Sequence, residues 1–266
     1  MSLSQKPALG LMGFGAFGRL VARHLQPHLP VLAFDPATTI AADPSGHGLH
    51  PATPAEVAAC AFVVLAVPVA ALPEAIALLA PQLKPGTVVL DVGSVKTGPV
   101  AAMQAALPAC VEIVATHPLF GPNSACEGIA GLSIALCPVR GTRHRRIAAF
   151  LRKVLGLRVI LTTPDAHDRE AAVVQGLTHL IARILTRMEP LPTRMTTASF
   201  SLLMRATDMV RDDSAGVFLA IERANPHARQ VRDRFFALAQ EIRDHLDGET
   251  PAPAAEEGSC RVPAAG

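Results

Sequence analysis

Along the first 160 or so residues, short uninterrupted apolar runs alternate with longer segments in which apolar positions recur every three or four residues. The runs at 8–13, 31–34, 62–67, 88–92, 111–116 and 133–136 are rich in Val, Ile, Leu and Ala, and they read as strands covered on both faces. Helical spacing follows the first run over 17–25 and precedes a last strand, 158–161, over 143–155. The alternation predicts an α/β fold: a mostly parallel sheet with crossover helices. From Pro164 onward the strand-like runs stop. Val173, Leu177, Leu180, Ile181, Ile184 and Leu185 mark one long helix, opened by Pro164 and ended by Pro190 and Pro192. Further helices are predicted over 197–209, 214–223 and 226–246. The chain thus divides into a sheet domain over 1–162, an all-helical domain over 163–247, and a tail over 248–266 whose Pro, Ala and Glu content predicts disorder.

The apolar stretch 58–80 has the length of a membrane span, but Pro68, Pro73 and Glu74 interrupt it, and it reads as strand, turn and helix. With 50% hydrophobic and 17% charged residues, the chain is neither disordered nor a coiled coil. A net charge of +2 gives no general reason to bind nucleic acid, and Arg140, Arg143, Arg145 and Arg146 read as a solvated helix face. Five cysteines without a C-x-x-C pair argue against a disulfide framework or a zinc site. No targeting segment is visible at the start, so the expected compartment is the reducing cytosol.

Gly13-Phe14-Gly15-Ala16-Phe17-Gly18 completes a G-x-G-x-x-G between the first strand and the first helix. Chemistry demands that placement. Gly13 permits the tight turn, Gly15 lets the backbone approach a pyrophosphate, and Gly18 lets helix and strand pack closely. The pyrophosphate then sits on the helix N-terminus, where free N–H groups favour an anion. Asp35 closes the second strand about twenty residues on, where a carboxylate binds ribose hydroxyls and repels a 2′-phosphate, so NAD is expected rather than NADP. Val67 and Pro68, where the strand at 62–67 ends, are expected to complete the cofactor contacts together with Ser94. The expected architecture is a Rossmann-type sheet followed by helices.

Two more strand ends carry polar residues into glycine-containing loops: Asp91-Val92-Gly93-Ser94-Val95-Lys96 and Thr116-His117-Pro118-Leu119-Phe120-Gly121-Pro122. Ligand sites of open α/β sheets belong there. His117 is either a base taking a proton or a structural strand-end residue; Ser94 is placed to hydrogen-bond beside it. The order GFGAFG, DVGSVK, THPLFGP, His167-Asp168 and Gln175-Gly176-Leu177-Thr178-His179-Leu180 resembles the prephenate/arogenate dehydrogenase family of tyrosine biosynthesis. The HPLFGP form is most similar to the branch that includes plant arogenate dehydrogenases, and the likeness extends to about Leu246.

The resemblance implies NAD-dependent oxidative decarboxylation of a cyclohexadienol acid. His117 would accept the 4-hydroxyl proton and Ser94 would orient the hydroxyl or the imidazole. It also implies a helical-domain arginine for the ring carboxylate, with Arg205 the first candidate and Arg211 the second, and a histidine facing the site, which His179 matches as ligand or as core residue. His167 with Asp168 reads as an N-terminal helix feature. Glu127, in the loop after HPLFGP, would pair the ammonium of arogenate, or else is an idle loop residue; prephenate, with a keto acid there, is the alternative substrate. No chorismate mutase-like segment or regulatory β-α-β unit is recognisable, so a monofunctional enzyme is expected. The apolar helical half predicts a homodimer. Two competing readings remain: a hydroxyacid or imine reductase, although no lysine follows Lys153, and a non-catalytic NAD-sensing protein.

Overall fold

The computed structural model describes residues 8–41 and 48–248. The tail expected to be disordered over 248–266 lies outside the described residues except for Gly248. Eight strands form one sheet: β1 Leu9–Met12, β2 Val31–Phe34, β3 Leu49–Pro51, β4 Phe62–Leu65, β5 Val88–Asp91, β6 Glu112–Pro118, β7 Ser133–Arg140 and β8 Arg158–Leu161. Their order is β3-β2-β1-β4-β5-β6-β7-β8. All neighbours are parallel except β6 and β7, which run antiparallel.

The apolar runs of the central strands arise because those strands are covered on both faces, whereas β8 at the sheet edge leaves Ile160 and Leu161 exposed. Leu9, Leu11, Val64, Val88, Leu90 and Val114 join one apolar cluster, whose outer layer is α1 (Ala16–Leu25) and α5 (His144–Lys153). Met12, Val63, Leu65, Val89, Ile113 and Ala115 point the other way, into a cluster closed by α2 (Pro54–Ala58), α3 (Leu72–Leu79) and α4 (Thr97–Ala106). Period-2 alternation between two apolar cores leaves no polar position in between. The stretch 58–80 is β4, a short turn and α3, and no helix among the described residues is long and apolar enough to cross a membrane.

After β8 the chain is helical. Thr163 caps α6 (Pro164–Arg187) by accepting from the Ala166 N–H, with Pro164 in the first turn. It is followed by α7 (Ala198–Val210), α8 (Ala215–Leu219), a π-helical turn over Ala220–Ala224, and α9 (Ala228–Leu246). The helix expected over 214–223 is therefore split, its second half wound more widely. The N-terminal end of α6 abuts the loop that leaves β5, which brings the helical half against the C-terminal edge of the sheet.

Candidate active site

Two strand ends and one helix start build the site. At the first, Gly13 has φ +97°, and a Cβ there would stand 2.5 Å from the Ala66 carbonyl oxygen and 3.0 Å from Val67 Cγ1. No side chain caps α1 and no acidic residue occupies its first turn, so its N–H groups and dipole are available to an anion. A Cβ on Gly15 would meet nothing within 4 Å, whereas one on Gly18 would run into the Gly13 carbonyl oxygen at 2.3 Å. Asp35 closes the cradle: its carboxylate accepts from the Phe14 N–H at 2.6 Å and the Ala37 N–H at 2.8 Å. Burial pushes its pKa up, but these bonds and those from Thr38 outweigh it, and the carboxyl is held below its ordinary value. An open glycine, free helix N–H groups and an ionised carboxylate fit a dinucleotide.

The second strand end is β6. His117 lies inside this strand, one residue beyond the run at 111–116, and pairs in register with Ala135 of β7. The side chain is buried, and burial holds its imidazole well below the ordinary histidine value; His167 and Lys96 act in the same direction and Asp168 opposes them. Its Nδ1 stands 2.8 Å from His167 Nε2, and its Nε2 faces the Gln175 side-chain nitrogen at 3.4 Å. Beneath it Lys96, with no exposed surface, pairs with Asp91 and donates to the Thr116 carbonyl at 2.7 Å. Asp168 accepts from the backbone N–H groups of Lys96 and Thr97 at 2.7 and 2.8 Å.

Of the other residues singled out in the sequence, Ser94 is half-buried in the loop after β5 and makes no side-chain hydrogen bond among the described residues. Ala16 and Phe17 form the first turn of α1; Val67 and Pro68 follow β4. His179 is buried with both ring nitrogens engaged, Nδ1 with the Gln175 carbonyl at 2.9 Å and Nε2 with Asp213 at 3.0 Å. It lines a small cavity of about 70 Å³ together with Arg183, Arg187 and Arg211. Arg211 is also tied to Glu189 and Asp208. Arg205 is exposed on α7 without an ion pair among the described residues, and nothing joins it to the His117 cluster. Glu127 is exposed in the loop between β6 and β7. Sequence reasoning left His167, Asp168, Lys96 and Gln175 out of the site; all four stand in motifs it had noticed.

The sequence over residues 31–163 matches the family described as prephenate dehydrogenase, nucleotide-binding domain. Arogenate dehydrogenase 1, chloroplastic, of Arabidopsis thaliana is 29% identical over 175 residues, which are 63% of this chain and 27% of the plant protein. Cyclohexadienyl dehydrogenase of Zymomonas mobilis is 35% identical over 135 residues, 48% of this chain and 46% of that protein. The chain thus spans less than half the length of either relative. Among solved structures, prephenate dehydrogenase of Aquifex aeolicus in complex with hydroxyphenyl propionate and NAD+ has a TM-score of 0.69 over 94% of this chain and 93% of its own, at 20% identity. Arogenate dehydrogenase of Synechocystis has a TM-score of 0.56 at the same 20% identity, covering 91% of this chain and 90% of its own. Those likenesses speak for the fold; the sequence match over half of the chain speaks for descent. The chain belongs to the prephenate dehydrogenase family through its nucleotide-binding domain.

Proposed function

We propose that the protein is an NAD-dependent dehydrogenase that decarboxylates L-arogenate to L-tyrosine, with prephenate as the alternative substrate. The observation that carries this reading is His117: a buried imidazole of lowered basicity, next to the loop bearing Ser94 and across the sheet edge from an uncapped glycine turn. Gly13, Gly15, Ala16, Phe17, Gly18 and Asp35 would hold the dinucleotide, with Val67, Pro68 and Ser94 toward its nicotinamide end. Bound there, the cofactor supplies the acceptor for the hydride that leaves the ring carbon bearing the 4-hydroxyl.

The chain's own residues do the rest. His117, neutral at pH 7, accepts the 4-hydroxyl proton, a contribution typically of about 10²- to 10⁴-fold. Ser94, with no side-chain hydrogen bond among the described residues, orients that hydroxyl. The ring carboxylate departs as carbon dioxide and the ring becomes aromatic, so holding the substrate in place is the larger task. A guanidinium suits bidentate capture of that carboxylate. Arg205 has no ion pair among the described residues to give up; Arg211 shares a cavity with His179, whose fixed ring would wall the substrate side. An Arg205→Ala and Arg211→Ala pair separates them, the true ligand being the one whose loss raises KM at least tenfold. Glu127 would pair the ammonium of arogenate, a contact the keto acid of prephenate cannot use.

The test is initial NADH formation by the purified protein with L-arogenate and with prephenate. A kcat/KM at least tenfold higher for arogenate, about 1.4 kcal/mol, that collapses in Glu127→Gln supports the arogenate assignment. Preference for prephenate makes Glu127 a bystander. No rate with either substrate removes the dehydrogenase reading.

A further inference from the structure

His117 is the front of a three-member chain. Behind its Nδ1 stands His167 Nε2, at 2.8 Å, and behind His167 Nδ1 stands Asp168 Oδ1, also at 2.8 Å. All three side chains are buried, and the two rings meet edge to face with centroids 5.0 Å apart. The far end is fixed. Asp168 accepts from two backbone N–H groups, Lys96 and Thr97, and its own carbonyl accepts from Asn225 Nδ2 at 2.7 Å. Burial alone would raise its pKa, but the bonds from His167 and from these backbone groups outweigh it, so the carboxylate is ionised. The other charged group near His117 is Lys96, held to Asp91.

Donor and acceptor roles follow from that end inward. An ionised carboxylate only accepts, so His167 Nδ1 carries a proton. If that ring carries no second proton, its Nε2 is bare and His117 must meet it with an Nδ1–H. The remaining nitrogen of His117, Nε2, is left bare, on the side where Gln175 lies. A bare Nε2 is what a general base needs; an Nε2–H ring cannot take a proton there. We propose that His167, backed by Asp168, is a positioning residue that selects the proton-accepting tautomer of His117. His167 touches neither substrate nor cofactor in this scheme; it acts through His117. The inference rests on the reading of His117 as the base, and it assigns work to a histidine otherwise explained as the start of α6.

The test has one arm that needs no turnover. In protein labelled with ¹⁵N-histidine, with His117 assigned by loss of its signals in His117→Asn, long-range ¹H–¹⁵N correlations at pH 7.5 report the tautomer. Wild-type His117 is expected as the Nδ1–H form. His167→Leu, which removes the acceptor, is expected to move His117 toward the Nε2–H form, and His167→Gln, whose amide oxygen can still accept, to retain the Nδ1–H form. In the kinetic arm, His167→Leu should lower kcat by about 100-fold or more, toward the roughly 10⁴-fold that the wrong tautomer costs in a catalytic triad. KM should change less than threefold, and His167→Gln should recover at least tenfold of the loss. Wild-type His117 in the Nε2–H form overturns the proposal even if the variants do not fold. An unchanged tautomer in His167→Leu overturns it too, as does a kcat within threefold of wild type. If the wild type turns over neither cyclohexadienol, the dehydrogenase reading fails, while the spectra still decide the positioning role.

Discussion

Lys96 and His117 show how single residues are held at the edge of what burial permits. Lys96 is fully buried, its ammonium shared between Asp91 and the Thr116 carbonyl, its backbone N–H bonded to Asp168; one residue ties β5, β6 and α6. A buried pair is weak evidence of stability, but a broken one leaves an uncompensated charge. Lys96→Met is therefore expected to cost about 3–5 kcal/mol in denaturant unfolding, and Lys96→Met with Asp91→Asn to regain most of it. A single variant within 1 kcal/mol of wild type would show that the pair carries nothing. His117 has the opposite problem, a group kept uncharged. Burial depresses its folded pKa below the 6.5 of an unfolded histidine, so between those values the unfolded chain binds more protons. Stability from this group is complete above pH 6.5 and falls as pH drops through the window beneath it, by at most about 1.4 kcal/mol per pH unit. Asp35 and Asp168, held below the ordinary aspartate value of 3.8, lose their contribution only at lower pH. Unfolding free energies measured from pH 7 to 5 should thus slope less in His117→Asn than in wild type. His24, whose pKa is lowered mainly by burial and then by Arg23, adds the same sign and remains in both proteins.

At the scale of elements, the two glycines flanking the α1 start separate packing from binding. A methyl at residue 15 meets open space, so Gly15→Ala should fold with an unchanged melting temperature yet bind NAD at least tenfold more weakly, because the methyl occupies the approach of the pyrophosphate. Gly18→Ala must displace the Gly13 backbone and should melt lower. Equal NAD affinity in Gly15→Ala and wild type, by calorimetry, would remove the nucleotide from this turn. The glycine turn and the core strands were legible because local chemistry dictates them: two-faced burial writes continuous apolar runs, and a turn that a Cβ would block writes glycine. Three elements were not. β3 has three residues, too few for any period. α2 has five, although Thr53, Pro54 and Glu56 spell a capping box that marks its start. α4 is rich in alanine and shows little contrast between its faces. The antiparallel setting of β7 is a pairing choice that alternation does not record. In the site, His117 stands out because a strand end delivers it, whereas the His167 partnership spans fifty residues and exists only once α6 docks on the sheet.

The whole molecule is lopsided in how it hides apolar surface. The sheet half closes two apolar clusters, yet α9, nineteen residues long, buries only Ala228, and α7 buries only Thr207. Most helical stability in a folded protein comes from covering an apolar face. Here such faces stay open: Val174 is 69% exposed on α6, Leu202 58% on α7 and Ile242 62% on α9. We propose that the exposed apolar residues on three helices of one half are covered by a second copy of the chain, joined through that half in a symmetric pair. Sedimentation equilibrium at micromolar concentration should give twice the chain mass. Charge placed in the open faces, as in Leu202→Glu with Ile242→Glu, should give the monomer mass and a lower melting temperature. NAD affinity should persist in that variant, because the glycine turn and Asp35 belong to the sheet half. A wild type that sediments as a monomer would leave the helices without the cover they need and would exclude the pair; a dimer that survives both charges would place the contact on other surfaces.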